Sequence, residues 1–300
     1  MDSGATVMNI ATACARPPRG SSFPAFHTPA GRTKLAVTTI FSERQFGLVN
    51  WLGFWTLYCK EVRRFMKVYT QTLLAPMATT LLYLAVFSLA LSAGGATTGG
   101  GYSQFLAPGL IMMSITQNAF ANTSSSVVIA KLQGNIVDIL MPPLSAGELT
   151  IALALGGATR GIVVGAAVGI TMAFFVPVQI EDWGLVLFNG VAASLMLSTI
   201  GIIGGLWSEK FDHIAAVTNF IVIPLTFLSG TFYSIERLHE PFQTLARLDP
   251  FFYMIDGFRC GFIGHGDSSA LLGAMVLIVL NIVLLAWCWR LFAIGYKVKS

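Results

Sequence analysis

At 300 residues, 55% hydrophobic and only 11% charged, the chain has too few polar side chains to cover a soluble domain, and its mean hydropathy of +0.72 agrees. The net charge of +4 is weak grounds for nucleic-acid binding, because the basic residues are spread over the segments that flank apolar stretches. The composition predicts an all-α polytopic membrane protein.

Residues 1–43 differ from the rest. Asp2 is the sole acid before Glu43, while Arg16, Arg19, Arg32 and Lys34 sit among Pro, Gly, Ser, Thr and Ala, which predicts a disordered tail. The stretch reads first as a dispensable tail, or an upstream start with Met8 as another candidate, and its Arg-rich, acid-poor composition also suits an organelle transit peptide. It holds no apolar core of a secretory signal. From 44 to 69 the apolar positions Phe46, Val49, Leu52, Phe54, Leu57, Val62 and Phe65 predict an interfacial helix. Trp51, Trp55 and Tyr58 then lie at headgroup level, and Lys60, Arg63, Arg64 and Lys67 hold its end against anionic lipid.

Six charge-free spans follow, at about 72–91, 105–128, 149–178, 185–207, 214–232 and 270–289, the third being free of charge only from Gly161. Six spans put both termini on one side. Outside the tail, the loops on that side hold 11 Lys and Arg against 3 on the other, so both termini are expected in the cytoplasm. The second span is the most polar, with Ser114, Asn118, Asn122 and Ser126 at i+4 on one face. That stripe either lines a substrate path or bonds neighbouring helices. Asn219 in the fifth span reads first as packing glue and also stands as a path candidate.

Between the second and third spans, IAKLQGNIVDILMPPLSAGEL is too polar to cross, and Pro142-Pro143 stops any continuing helix. Ser145-x-x-Glu148 fits a capping box, so a new helix is expected near Ala146. From Ala146 to Val178 such a helix measures about 50 Å, longer than a bilayer needs, so its first turns project inward. Past Ile214 the fifth span is weakened at Pro224, Ser229 and Gly230. Two pieces too short to cross, Phe242 to Leu248 and Phe251 to Phe262, separated by Asp249-Pro250, are expected to fold into an outer lid. Asp256 and Arg259, spaced i,i+3, suit an ion pair, read first as a structural clamp and second as a substrate contact.

Chemistry is sparse. The chain has no Gly-Lys pair and therefore no P-loop, and the run Gly94 to Gly101 reads as a flexible loop. His213, His239 and His265 are scattered, with no HExxH, so no catalytic residue is assigned. Cys14, Cys59, Cys260 and Cys288 lack CxxC or metal spacing, and no metal site is expected.

PLTFLSGTFYSIERL followed by LARLDPFFYMIDGFR resembles the C-terminal signature of the type-2 permeases of ABC transporters, bacterial exporter subunits above all. With KEVRRF, APMATTLLYLAVFSLAL and ILMPPLSAGEL, the similarity runs from about Trp51 to the C-terminus. The resemblance implies a permease domain over 44–300 with an elbow helix at 44–69 and a re-entrant pair after the fifth span. It implies that the loop after the second span is a coupling helix docked on a separate ABC ATPase. Lys131, Gln133, Asn135, Asp138, Pro142, Pro143 and Glu148 are its contact candidates. ATP and Mg²⁺ would then sit on the partner, with no cofactor on this chain. Six spans being half the usual complement, two copies should pair in the bilayer, and a bacterial inner (plasma) membrane is the expected location. Drugs, lipids and glycans are the family's cargo. A nucleotide-independent channel or secondary carrier is the alternative, although its spans would usually carry a coupling charge; a membrane scaffold needs neither the polar stripe nor the broken fifth helix.

Overall fold

The computed structural model describes residues 49–93, 101–136, 142–177, 179–235 and 239–297, and every regular element among them is helical. The tail 1–43, the first residues of the elbow segment, most of the run 94–101 and Asp138 lie outside the described residues.

The helices are α1 (Trp51–Met66), α2 (Tyr69–Ala93), α3 (Gly101–Leu132), α4 (Ala146–Ala173), α5 (Trp183–Trp207), α6 (Phe211–Leu228), α7 (Phe242–Leu248), α8 (Pro250–Ile263) and α9 (Ala270–Ile294). By length and composition, α2, α4, α5, α6 and α9 are apolar enough to cross a membrane. Helix α3 is the longest at 32 residues, about 48 Å at 1.5 Å per residue, but its Ser, Thr, Asn and Gln dilute its hydropathy.

Starts and stops follow local chemistry. Helix α4 begins at Ala146 with the expected box: Glu148 N donates to Ser145 Oγ at 3.2 Å, and Ser145 N donates to Glu148 Oε2 at 2.7 Å. It ends at Ala173 rather than near 178, since Pro177 disfavours helical backbone just before it. Helix α3 ends at Leu132, well ahead of Pro142, where Gly134 turns left-handed at φ 72°. In α6, Pro224 brings no N–H, and the turn just ahead of it, Thr218–Val222, widens to a π-helix. The sequence expectation of a weakened fifth span is met there.

Helix α3 is the axle of the bundle. Twenty of its residues are buried, and it packs on α4, α5, α8 and α2. Lipid tails are as apolar as leucine, so close backbone approach and interhelical hydrogen bonds hold such a bundle rather than water exclusion. A Cβ on Gly201 of α5 would lie 2.6 Å from the Phe120 carbonyl oxygen of α3. Hydroxyls close the gaps: Thr123 Oγ1 donates to the Ser198 carbonyl at 2.7 Å, Ser198 Oγ to Ala154 at 2.8 Å, and Ser194 Oγ to Ala158 at 2.8 Å. Each contributes about 0.6 kcal/mol. Helices α2 and α6 bury the smallest shares of their apolar surface among the candidate spans.

Gly201→Val is expected to cost about 1–3 kcal/mol, because backbone opposes the new carbons. Gly169→Ala, whose Cβ would meet Ile111 Cδ1 at an ordinary 3.6 Å, should be neutral. Thermal unfolding of the two detergent-purified variants distinguishes them.

Candidate functional site

At one end of the bundle the start of α1 is joined to the start of α4. Asn50 caps α1 by accepting from Gly53 N at 3.0 Å, while its own N–H donates to Glu148 Oε1 at 2.6 Å and its Nδ2 to the Pro143 carbonyl at 3.3 Å. One carboxylate thus caps α4 and ties down α1. Of the seven coupling candidates, Glu148 is occupied in this way. Lys131 is too, its Nζ donating to the Leu206 and Ser208 carbonyls at 2.7 Å each, where it satisfies the end of α5. Gln133, Asn135, Pro142 and Pro143 are exposed on the connecting segment, free to meet another chain. Lys297, after α9, bonds Glu209 at 3.0 Å and the Trp207 carbonyl at 3.2 Å, so the α9 terminus lies at this same end.

Farther along, α1 supplies charge to the polar stripe. Glu61 is 1% exposed, fits against Gly156 of α4, and accepts from Ser126 Oγ at 2.8 Å. Arg64 pairs with Glu61 at 3.1 Å and also donates to the Asn122 carbonyl at 2.6 Å and to Asn122 Oδ1 at 2.9 Å. The expectation that Arg64 holds α1 against lipid is therefore corrected: it turns inward, whereas Lys60 and Arg63 are exposed. Tyr58 bonds Thr159 at 3.0 Å, and Arg160 of α4 reaches Asn118 Oδ1 at 3.3 Å.

The stripe is consequently divided. Ser114, Asn122 and Ser126 are buried, and Asn122 and Ser126 are engaged by α1. Asn118 is half-buried, and beside it Ala121 is exposed and Ser125 half-buried, leaving part of the face uncovered. Asn219 lies exposed in the π-helical turn of α6. Sequence reasoning missed Glu61 and Asn50. The signals were an acid three residues before an arginine on an amphipathic helix, and an Asn directly ahead of its first turn.

Beyond α6, two short helices, α7 and α8, adjoin at Asp249-Pro250. Asp249 caps α8 by accepting from Phe251 N at 3.0 Å and from Ser229 Oγ at 2.6 Å, with Pro250 as the first helical residue. Burial pushes its carboxyl above the usual range, against the pull of those two bonds. Asp256 and Arg259 do not form the expected ion pair; they serve different partners. Asp256 accepts from Asp267 N, Ser268 N and Ser268 Oγ at 2.7–2.8 Å, closing the turn before α9. Arg259 donates to the Gly230 carbonyl at 2.6 Å and stacks over Phe105 at 3.8 Å, bolting the hairpin to the ends of α6 and α3. Among the described residues no group of three His, Cys, Asp or Glu could hold a metal ion.

An all-helical bundle with five helices long and apolar enough to cross a membrane is a polytopic membrane protein. Residues 53–263 match the ABC-2 type transporter family, and the chain belongs to it. It is 38% identical over 251 residues to the inner membrane transport permease YadH of Escherichia coli strain K12, covering 83% of this chain and 98% of that relative. It is 24% identical over 242 residues to nodulation protein J of Neorhizobium galegae, covering 78% and 89% of the two chains. The chain is the permease component of an ABC transporter, an inner-membrane protein of several spans, and it is a transporter subunit rather than an ATPase. Such a permease implies a partnering ATPase subunit.

Two outcomes are expected. Glu61→Gln removes the charge partner of Arg64, which keeps its bonds to Asn122, and should cost about 1–3 kcal/mol, whereas Glu61→Leu with Arg64→Met should cost less than the sum of the two single changes; a double-mutant cycle on thermal stability measures the coupling. Because Asp249 has a raised pKa in the fold, its contribution favours the folded state below that pKa and declines as pH rises through it. Asp249→Asn, which keeps the cap and carries no charge, should flatten that decline in a pH series of unfolding midpoints, while Asp249→Ala should lose about 1 kcal/mol of cap at every pH.

Proposed function

We propose that this permease works as an exporter, in which two copies pair and two separate ATPase chains drive an amphiphilic cargo of lipid, drug or glycan type outward. Helix α3 is counted as a sixth span, which puts both termini in the cytoplasm, and the segment 131–148 is the coupling element that meets the ATPase. The observation that carries this reading is the double use of Glu148. Its carboxylate bonds both Ser145 N and Asn50 N, so a push on the loop reaches α4 and α1 together. Eight residues on from Glu148, about 12 Å along α4, Gly156 receives Glu61, and Glu61 with Arg64 grips α3 at Asn122 and Ser126. Displacement of an exposed loop is thereby passed to the helix with the polar face, without flexible links between them.

The exposed α2 and α6 faces suit contact with the second copy, and the uncovered strip of α3 at Asn118, Ala121 and Ser125 suits the cargo. The hairpin of α7 and α8, fixed by Asp249 and Arg259, serves as the outer lid.

Replacing residues 134–144 with a Gly/Ser tether of equal length is expected to leave the permease dimeric and folded, yet abolish co-purification of a P-loop ATPase and ATP-dependent cargo movement. Retention of both functions with the tether would refute the coupling role.

A further inference from the structure

Three charged side chains bond the polar stripe of α3 at Asn118, Asn122 and Ser126: the guanidinium groups of Arg160 and Arg64 and the carboxylate of Glu61. Glu61 is committed to Arg64 at 3.1 Å and to Ser126 at 2.8 Å. Arg160 has no ion pair among the described residues; its side chain makes one hydrogen bond, 3.3 Å to Asn118 Oδ1, and the charge acting on it is Arg64, which repels it. The Nε atoms of both arginines and Nδ2 of Asn122 are buried without a hydrogen-bond partner, and the acceptor beside them that also lacks one, Glu61 Oε2, is held by the Arg64 ion pair. Unpaired donors of this kind are costly inside a membrane protein, and these belong to the two arginines and the Asn118–Asn122 face that they bond. The cluster lacks one anion able to accept several N–H groups at once. Carboxylates and phosphates both match a guanidinium fork, but a phosphate has enough oxygens to bridge two forks.

We propose that Arg64 and Arg160, with Asn118 and Asn122, bind the phosphate group of an amphiphile that reaches α3 from the cytoplasmic leaflet. The location rests on the transport reading above; the binding does not. Helix α4 supports an amphiphile over a free ion. From Arg160 to its outer end at Ala173 the helix runs about 20 Å, so the Arg160 backbone lies about 10 Å from the inner edge of a hydrocarbon core about 30 Å thick, a depth that its long side chain and the headgroup of an amphiphile can span between them. A headgroup held there leaves its chain in the bilayer. This places fixed positive charge beside a stripe that by sequence alone is neutral.

Dodecyl phosphate tests the assignment on purified permease without any ATPase, so failure to recover an ATPase would sink the transport reading and leave this result standing. Titration in dodecyl maltoside should show saturable binding and a rise in unfolding midpoint. Arg160→Gln should weaken binding roughly tenfold or more. Arg160→Lys, which keeps the charge and loses the fork, should lie between them and guards against misfolding of the first variant. Equal binding by wild type and both variants would overturn the site. Inorganic phosphate binding as tightly as dodecyl phosphate would overturn the amphiphile. In phosphatidylglycerol nanodiscs, loss of dodecyl phosphate binding identifies a bilayer phospholipid as occupant, and persistence identifies a cargo headgroup; both results uphold the phosphate assignment.

Discussion

A polar group inside a bilayer must find its partner within the protein, and helix α3 carries more polar side chains than any other helix here. That requirement organises the whole molecule. Its Thr and Ser hydroxyls turn back on the α3 backbone or cross to α5, and small residues on α4 and α5 let those helices come close enough to seal them. What remains, Asn122 and Ser126, is satisfied by Arg64 and Glu61 reaching in from α1. An amphipathic helix that the sequence assigns to the lipid interface is thus also a structural member of the core.

The two ends of the bundle solve opposite problems. At the end that holds the start of α4, cap chemistry ties separate elements together: Glu148 joins α4 to α1, and Lys131 joins α3 to the terminal carbonyls of α5. At the opposite end, short helices that cannot cross are pinned by single residues with several bonds each, Asp249, Asp256 and Arg259. Between these rigid ends the least covered helices are α2 and α6, and α6 contains a π-helical turn. A widened turn in an otherwise regular span is a natural place for bending.

Much of this was legible in the residues. Ser145 and Glu148 announced the start of α4, Asp249-Pro250 announced α8, and Pro224 announced the irregularity of α6, because caps and prolines act locally. Contacts between elements distant in sequence were not legible. Nothing near Arg64 reveals that it faces Asn122, and its position beside Lys60 and Arg63 on a membrane-flanking helix suggests lipid instead. The i,i+3 spacing of Asp256 and Arg259 suited a pair, yet tertiary partners of better geometry, the turn at 267–268 and the Gly230 carbonyl, took each of them. By hydropathy α3 falls outside the five candidate spans for the same reason that it matters: its polar face is satisfied by neighbours that a sequence window does not see.

The central claim is that α1 and α3 move as one body, held by Glu61 and Arg64, when the inner loop is displaced. Paired spin labels measure this directly in the permease–ATPase complex, one pair on the exposed Lys60 and Ala121 and a second on Lys60 and the exposed Phe220 of α6. Between the nucleotide-free and ATP-bound states, the first pair should keep a single unchanged distance while the second shifts. A change in the Lys60–Ala121 distance would contradict the claim.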